Sequence, residues 1–173
     1  IAVYSPHTAL DVADGGTNDV LADALGVTGR APLRAIDVPG QAKTDVRGFG
    51  RVGTLPSTPV VALIDSVKRA LGAERTLVAG PMGRQISRAA VCAGSGGDFV
   101  EDAIRAGAQL FLTGELRHHD ALRAVAAGLT VVCTLHSVSE RVALEGLKRR
   151  IEEHLPGMHV VRSRADREPF AFA

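Results

Sequence analysis

The sequence contains few aromatic residues and no excess of charge of either sign. Aromatic side chains make up 3% of the 173 residues, and the 20 Lys and Arg residues nearly balance the 19 Asp and Glu residues. A surface that binds nucleic acid neutralises phosphates with basic side chains and stacks bases on aromatic rings. We therefore expect no nucleic-acid partner.

Cysteine, long apolar runs and a secretion signal are also scarce or absent. The two cysteines, Cys92 and Cys133, each lie within an apolar run, which predicts reduced thiols buried on strands. No apolar run approaches the ~20 residues that span a bilayer, and the start at Ile1 lacks the pattern of a signal peptide. We predict a cytoplasmic protein with no membrane partner. Its sequence opens in mid-strand, so part of the natural protein is expected upstream.

Apolar runs alternate along the chain with segments of helical periodicity, and hydrophobic residues make up 46% of the total. The strand candidates are rich in Val and Leu and barely alternate, as in strands covered on both faces. The predicted strands are residues 1–5, 33–38, 76–79, 89–93, 109–113, 130–135 and 159–162. The predicted helices are residues 18–25, 58–71, 98–106, 120–127 and 138–155. This order predicts an α/β fold with a largely parallel sheet in its second half.

The composition changes between Val38 and Ser57, where the chain reads Gly48-Phe49-Gly50-Arg51-Val52-Gly53. Such a segment is either a connection between two lobes or a glycine-rich active-site loop. We carry both alternatives forward.

Residues that suit chemistry follow several of the predicted strands. Four of the six histidines stand in these segments. In open α/β sheets, functional groups collect outside the carboxyl ends of the strands. This clustering is the main functional signal in the sequence.

The pair His136 and Glu140 is the sharpest candidate for metal binding. His136 ends a predicted strand and Glu140 lies one helical turn later, so both side chains point toward the start of the helix. Imidazole and carboxylate together suit Zn, Mn, Fe and similar ions. The alternative is a capping box, with Ser137 as the N-cap residue and Glu140 at the third helical position.

Two weaker motifs accompany this pair. His7 and Asp11 have the same four-residue spacing after a predicted strand, although Asp at such a place is more often a turn or cap residue. The glycine loop, Gly94-Ser95-Gly96-Gly97, precedes a predicted helix and would bind a phosphate through its backbone N–H groups. It lacks the Lys of a P-loop, and short glycine turns between a strand and a helix are common.

The segment after the strand at 109–113 carries four further ionisable groups. Glu115, His118 and His119 are candidate acid/base groups beside a metal, and Asp120 shares their segment. The alternative is that His118 faces solvent and Asp120 caps the following helix. Residue types alone do not separate these possibilities.

Taken together, these motifs resemble the Nif-three-like family, dinuclear-metal proteins often labelled GTP cyclohydrolase I type 2 homologues. The resemblance spans the chain with its motifs in family order. The matching segments are Val3-Tyr4-Ser5-Pro6-His7-Thr8-Ala9-Leu10-Asp11, Gly15-Gly16-Thr17-Asn18-Asp19, Val91-Cys92-Ala93-Gly94-Ser95-Gly96-Gly97, Leu112-Thr113-Gly114-Glu115-Leu116-Arg117-His118-His119-Asp120, His136-Ser137-Val138-Ser139-Glu140-Arg141 and Asp166-Arg167-Glu168-Pro169-Phe170.

The resemblance implies two divalent metal ions (Zn, Fe, Mn, Co or Ni) held in part by Asp11, His136 and Glu140, with Glu140 able to serve both. It also implies a toroidal homo-hexamer and a Nif-three-like fold of two related α/β lobes with mixed, partly parallel sheets. We place the lobes at residues 1–40 plus 130–173 and at residues 41–129 of one N-terminally incomplete unit.

This sequence departs from the family pattern in two ways. The family's remaining ligands are two adjacent histidines in a His-His-Pro segment upstream of Ile1, and the His118-His119 pair matches a different motif. Leu135 and Ser137 stand where relatives often have Gly and Tyr around the ligand histidine. The second departure predicts altered surroundings for His136.

The leading functional hypothesis is a metal-dependent hydrolase that acts on a nucleotide or another phosphorylated small molecule. In this hypothesis Glu115, His118 or His119 moves protons and the glycine loop holds a phosphate. The alternative is a non-catalytic metal-binding protein, either a ring-shaped interaction protein or a metallochaperone.

Overall fold

The structure is a computed structural model and describes residues 1–37 and 46–172. Its helices are α1 (Thr8–Val12), α2 (Thr17–Leu25), α3 (Val60–Leu71), α4 (Val100–Arg105), α5 (His118–Ala126), α6 (His136–Arg141) and α7 (Leu144–His154). Its strands are β1 (Thr28–Ala35), β2 (Gly48–Pro59), β3 (Leu77–Ala79), β4 (Gln85–Ser95), β5 (Leu110–Glu115) and β6 (Thr130–Cys133). No helix within the described residues is long and apolar enough to cross a bilayer.

The described strands form one six-stranded mixed sheet in the order β1-β2-β4-β5-β6-β3. Strands β4, β5 and β6 run parallel at its centre, whereas β1, β2 and β3 pair antiparallel with their neighbours. This arrangement confirms the predicted α/β class with a partly parallel sheet. Strands from both predicted lobes belong to this sheet, and the division into lobes stays a prediction.

Alternate residues of the central strands point to opposite faces of the sheet and supply two separate hydrophobic clusters. Val91 and Leu112 pack on one face with Leu21, Leu63 and Val67 from α2 and α3. On the other face the second cluster forms around Phe111. It includes Ala90, Cys92, Val100, Ala103, Ala124 and Val131. Helices therefore cover both faces, as the barely alternating strand sequences predict.

Most predicted elements are present with shifted ends. The helices predicted at 18–25, 58–71, 98–106 and 120–127 correspond to α2 to α5, and the four strands predicted between 76 and 135 correspond to β3 to β6. Helix α3 begins two residues late because Thr58 and Pro59 pair with Ile86 and Gln85 in the sheet. The strand predicted at 33–38 is β1, which begins earlier, at Thr28. Residues 38–45, which include Val38 and the predicted lobe boundary, lie outside the described residues.

Four predictions of secondary structure are wrong. Residues 1–5 and 159–162 form no strand, and none of the described strands pairs with them. Their apolar side chains lie exposed, apart from the half-buried Val160. The glycine-rich segment from Gly48 to Gly53 is neither a loop nor a connection, because it pairs with β1 and β4 inside the sheet. The helix predicted at 138–155 is two helices, since Ala143 N–H donates to the Glu140 carbonyl and closes α6 in a tight turn.

Candidate metal centre

Three of the segments singled out in the sequence meet at one edge of the sheet. Parallel strands β4, β5 and β6 end at Ser95, Glu115 and Cys133, so the loops that follow them leave from the same side. The carboxyl edge of parallel strands is where α/β proteins place their ligands. His136 and Glu115 meet here, beside Gly94.

Helix α6 positions the two sharpest candidates. Leu135 adopts φ 82° and ψ 148° directly before the helix, which turns the chain so that α6 begins at His136. Glu140 follows one turn later, and its Oε1 atom lies 3.2 Å from Nε2 of His136. On the other side of the ring, Nδ1 lies 2.9 Å from Oε1 of Glu115. The imidazole therefore lies between two carboxylates.

The capping-box alternative for Glu140 is wrong. No side chain caps α6, and Ser137 lies inside the helix rather than before it. The Ser137 hydroxyl instead donates to the Glu168 carboxylate in the C-terminal segment. Glu140 is thus left to face His136.

Gly94 allows the donor atoms of α6 to approach the end of β4. It has φ 67°, and a Cβ atom there would lie 2.9 Å from Glu140 Oε1 and 3.1 Å from His136 Nε2. Any larger residue would push both side chains away. The missing side chain leaves a small space on the side where Nε2 and Oε1 face each other.

Asp11 reaches the same region from helix α1. His7, with φ 39°, precedes this five-residue helix, and His7 and Asp11 both lie in the clefts beside Glu140. Burial raises the pKa of Asp11, while a hydrogen bond from Thr17 and the charges of His7 and His136 act in the opposite direction. The turn-or-cap alternative for Asp11 is not what the structure shows, because the residue lies within the helix.

A buried amide ties Asp11 to the central sheet. Asn18, which is 1% exposed, donates from Nδ2 to the Asp11 carbonyl at 2.9 Å. Its Oδ1 accepts a hydrogen bond from Ala93 N–H at 2.8 Å. One side chain therefore fixes α1 against the end of β4.

Ser139 makes the equivalent link for α6. Its hydroxyl accepts a hydrogen bond from Gly94 N–H at 2.8 Å and donates to the His136 carbonyl at 2.6 Å. Together, Asn18 and Ser139 form what we call the neutral hydrogen-bond chain, which connects α1, β4 and α6. Neither residue stands out as functional in the sequence. Asn18 is a polar residue on the largely apolar buried face of α2, whereas Ser139 has no such signal, because it is the one buried residue of α6.

Two clefts open beside these side chains and share His7, Asp11 and Glu140. The Gly94 cleft has a volume of about 290 Å³. It is also lined by His136, Gly94, Ser95, Ala93, Cys92, Asn18, Thr8, Phe49 and Phe99. The Arg141 cleft has a volume of about 310 Å³. Its other lining residues are Ser5, Leu10, Thr17, Ser137, Arg141, Leu144 and Asp166.

Electrostatics favour a charged imidazole when no other cation is nearby. The pKa of His136 is raised chiefly by the hydrogen bond from Nδ1 to Glu115; burial opposes the shift and the Glu140 carboxylate adds to it. The site thus attracts positive charge, whether a proton or a metal ion.

The remaining candidates lie outside the two clefts. His118 and His119 begin α5, both exposed, with their rings edge to face at a centroid distance of 5.6 Å. Asp120 is buried, accepts from Arg117 Nε at 2.9 Å and is also bonded to Arg123. His118 faces solvent as the alternative interpretation expects, but Asp120 forms ion pairs instead of a cap.

The glycine loop has fewer free donors than a phosphate cradle needs. Gly94 N–H is bound to Ser139, and Gly96 N–H donates to the Glu115 carbonyl at 3.2 Å. Gly97 lies against Asp120, whose Oδ2 atom would be 2.6 Å from a Cβ there. These contacts weaken the support for phosphate binding by this loop, which stays a prediction.

Both cysteines are free thiols on strands, and Cys92 is buried as the sequence predicts, whereas Cys133 is only half-buried. Burial raises the pKa of Cys92 to about 12 and that of Cys133 to about 11. At neutral pH both are therefore protonated, so neither is an activated nucleophile.

The donor set fits a metal only in part. Across residues 1–37 and 46–172, no three His, Cys, Asp or Glu side chains form a group that could hold a metal ion. Instead, the His136 imidazole lies between two carboxylates, with Nδ1 facing Glu115 and Nε2 facing Glu140. With Nδ1 engaged by Glu115, Nε2 is left as the nitrogen for a metal, a common arrangement in metalloproteins.

The fold and the site together define an α/β protein whose imidazole and carboxylate side chains collect at the carboxyl edge of its parallel strands. The chain belongs to the Duf34/NIF3 (NGG1p interacting factor 3) family, whose sequence profile matches residues 1–169. The resemblance drawn from the sequence motifs is therefore confirmed.

Individual relatives agree with this assignment. The chain is 36% identical over 180 residues to Protein NIF3 homolog of Schizosaccharomyces pombe, with 98% of this chain and 63% of the relative aligned. It is 31% identical over 174 residues to the GTP cyclohydrolase 1 type 2 homolog of Clostridium perfringens, covering 99% and 64%. The chain thus spans a little under two thirds of these relatives' length.

The fold also matches a solved structure. The crystal structure of the Bacillus cereus protein related to NIF3 superimposes with a TM-score of 0.81, covering 100% of this chain and 74% of that one. At 19% identity this likeness supports the fold alone. It agrees with the fold class predicted from the sequence.

Proposed function

We propose that Asp11, His136 and Glu140 are ligands of a dinuclear divalent metal centre in a metal-dependent hydrolase. The observation that carries the proposal is His136, whose two ring nitrogens face Glu115 and Glu140 at the carboxyl edge of the sheet. A histidine oriented by a carboxylate on one nitrogen is prepared to ligate through the other. The space beside Gly94 lies at that second nitrogen.

The substrate class we propose is a nucleotide or another phosphorylated small molecule. A relative's name, GTP cyclohydrolase 1 type 2 homolog, supports this class for the family. The bound metal ions would supply a water of lowered pKa and positive charge for a developing oxyanion. The ions implied are Zn, Fe, Mn, Co or Ni, since imidazole and carboxylate ligands suit all of them.

The chain's own residues have distinct tasks in this proposal. Glu115 orients the imidazole and keeps its proton on Nδ1, while Asp11 and Glu140 supply the negative charge that balances the cations. Asn18 and Ser139 hold the three donors in register. Glu115 is also the candidate proton carrier nearest to the donors, because its Oε1 lies 2.9 Å from His136 Nδ1, whereas His118 and His119 lie exposed at the start of α5.

Elemental mass spectrometry and calorimetric titration with Mn²⁺ or Zn²⁺ test the metal centre. We expect Glu140→Gln and Asp11→Asn each to lower metal affinity at least about 100-fold, because each removes a charged ligand. Asp65→Asn, on the exposed face of α3, is the matched control and should retain full affinity. The titration should be done on this chain and on a form that includes residues preceding Ile1 in the natural protein. Equal metal content in the parent and both variants would refute the ligand assignment.

A second assay separates the hydrolase from a non-catalytic metal protein. The family description refers to interaction with NGG1p, which favours partner binding as the alternative. Metal-replete protein should turn over GTP or a member of a phosphoester panel. If metal binds and the whole panel stays intact, the catalytic half of the proposal fails and the ring-shaped interaction protein or metallochaperone takes its place.

A further inference from the structure

Two of the chain's few aromatic rings stand in the cleft that holds the candidate metal donors. The sequence has five Phe, one Tyr and no Trp. Phe49 and Phe99 both line the Gly94 cleft, together with Asp11, His136 and Glu140. Their ring centroids are 6.0 Å apart with an interplanar angle of 48°. Aromatic surface is therefore concentrated beside the donors.

The packing of the core does not account for Phe49. Its side chain is half-buried, and it belongs to neither of the two hydrophobic clusters among the described residues. Strand β2 delivers it to the cleft between two glycines. At Gly50, with φ 61°, a Cβ would lie 2.7 Å from the Val91 carbonyl oxygen, so glycine is required for this close approach of β2 to β4. The backbone is thus adapted to this position of Phe49.

The second ring is held firmly. The Arg34 guanidinium carbon lies 4.3 Å from the centroid of Phe99, a cation–π contact. Arg34 is itself fixed, because Nε donates to Asp102 Oδ2 at 2.9 Å and Nη2 donates to the Asp98 carbonyl at 2.6 Å. A ring fixed in this way loses little freedom when a ligand packs against it.

We propose that the Gly94 cleft binds a planar unsaturated ring, a heteroaromatic ring such as a nucleobase, with Phe49 and Phe99 as its apolar wall. This inference rests on the proposed function, and it assigns the part of the substrate that lies next to Asp11, His136 and Glu140. The volume of about 290 Å³ is at the lower end of the range for small-ligand sites. The cleft is large enough for a ring, but it is too small for a folded peptide segment.

The polar groups of the cleft favour a ring over a phosphate group at this position. The Gly94 and Gly96 amides, which a phosphate at the 94–97 loop would need, already have protein acceptors. An aromatic face tolerates any base, because every nucleobase presents a flat π surface. The phosphate of a nucleotide would then lie away from the 94–97 loop.

The test compares two probes that share sugar and phosphate and differ by the ring. GMP and ribose 5-phosphate are titrated calorimetrically into the metal-loaded protein, with metal content measured on the same sample. We expect GMP to bind at least about tenfold more tightly than ribose 5-phosphate. Phe49→Leu should remove at least about fivefold of the GMP affinity and leave metal content and ribose 5-phosphate binding unchanged. Phe99→Leu should have the same effects. If Phe99→Leu does not fold, the result for Phe49→Leu alone decides the test.

Phe172→Leu is the matched control, since Phe172 lies against Arg75 and outside the Gly94 cleft. It should bind GMP as the parent does. Equal affinity for the two probes, no GMP binding at millimolar concentration, or full GMP affinity in Phe49→Leu each overturns the ring site. If no metal binds but GMP binding still depends on Phe49, the ring site stands and the metal centre fails.

Discussion

Asp120 and Glu140 are carboxylates on helices that follow neighbouring parallel strands, yet their surroundings differ sharply. Asp120 is 1% exposed, and both Arg117 and Arg123 bind its oxygens. Glu140 is 43% exposed and faces an imidazole across 3.2 Å. The first carboxylate is neutralised by its own helix, while the second remains available to a ligand.

This difference shows how the same residue type serves packing in one place and recognition in another. The two arginines stand three residues before and three residues after Asp120, which places both within reach of it at the start of one helix. Glu140 has no arginine bonded to its carboxylate within the described residues, because the neighbouring Arg141 pairs with Asp166 at 2.7 Å and 2.9 Å. A carboxylate that no arginine neutralises is the better candidate for a ligand.

Among the substitutions that test this comparison, the one at Glu115 should have the largest effect, which is on metal binding. Glu115→Gln removes the charge that holds Nδ1 of His136 and should weaken metal binding about 10-fold or more, as for other partners of ligand histidines. The pKa of His136, followed by NMR, should fall in the same variant because its main raising contact is lost.

Glu74→Gln, an exposed site beside Arg75, is the control for this substitution. An unchanged metal affinity in Glu115→Gln, despite a lowered histidine pKa, would mean that Glu115 does not orient the ligand. The contrast between the neutralised carboxylate of Asp120 and the carboxylates of the candidate site would then rest on Glu140 alone.

An intermediate effect, on stability alone, is expected at Asp120. Arg117 lowers the pKa of Asp120 through its hydrogen bond and charge, with Arg123 adding to the shift. A lowered pKa stabilises the fold above the ordinary value of 3.8, and the contribution is lost as pH falls through the lowered native value. Asp120→Asn should therefore cost about 1 kcal/mol at pH 7 and much less near pH 3.

Urea denaturation of both proteins at the two pH values measures this difference, and metal affinity should not change. A loss of metal binding in Asp120→Asn would erase the contrast between the two groups, because it would make Asp120 part of the site.

A second effect on stability, of similar size, concerns the backbone at Leu135. Its φ of 82° lies in a region that favours glycine. Leu135→Gly and Leu135→Ala both delete the side chain, but only Gly removes the clash of Cβ with the backbone. The Gly variant should be more stable than the Ala variant by about 1 kcal/mol in urea denaturation. The reverse order would show that Leu135 carries no strain.

The sequence predicts the central part of the fold well because the buried strands β4, β5 and β6 are continuous apolar runs. It fails at two other kinds of segment: the buried first half of β2 is rich in glycine, and residues 1–5 are apolar but exposed. Periodicity reports only the hydrophobicity of a segment, and a strand also requires a partner with free hydrogen-bonding groups.

The candidate site follows the same pattern. The meeting of His136 and Glu140 could be predicted, because a single helical turn separates them. The positions of Asn18, Phe49 and Phe99 could not, because their relation to the donors depends on contacts between residues far apart in sequence. The roles of Asp11, His136 and Glu140 as metal ligands stay predictions.

The neutral hydrogen-bond chain through Asn18 and Ser139 has a consequence for how the protein responds to its solution. Dissolved salt screens the attraction between exposed charges such as Arg141 and Asp166. An amide and a hydroxyl carry no net charge and do not titrate in the physiological range. The backbone positions of Asp11 and His136 are therefore held by contacts that neither ionic strength nor acidity alters, although the two side chains themselves titrate.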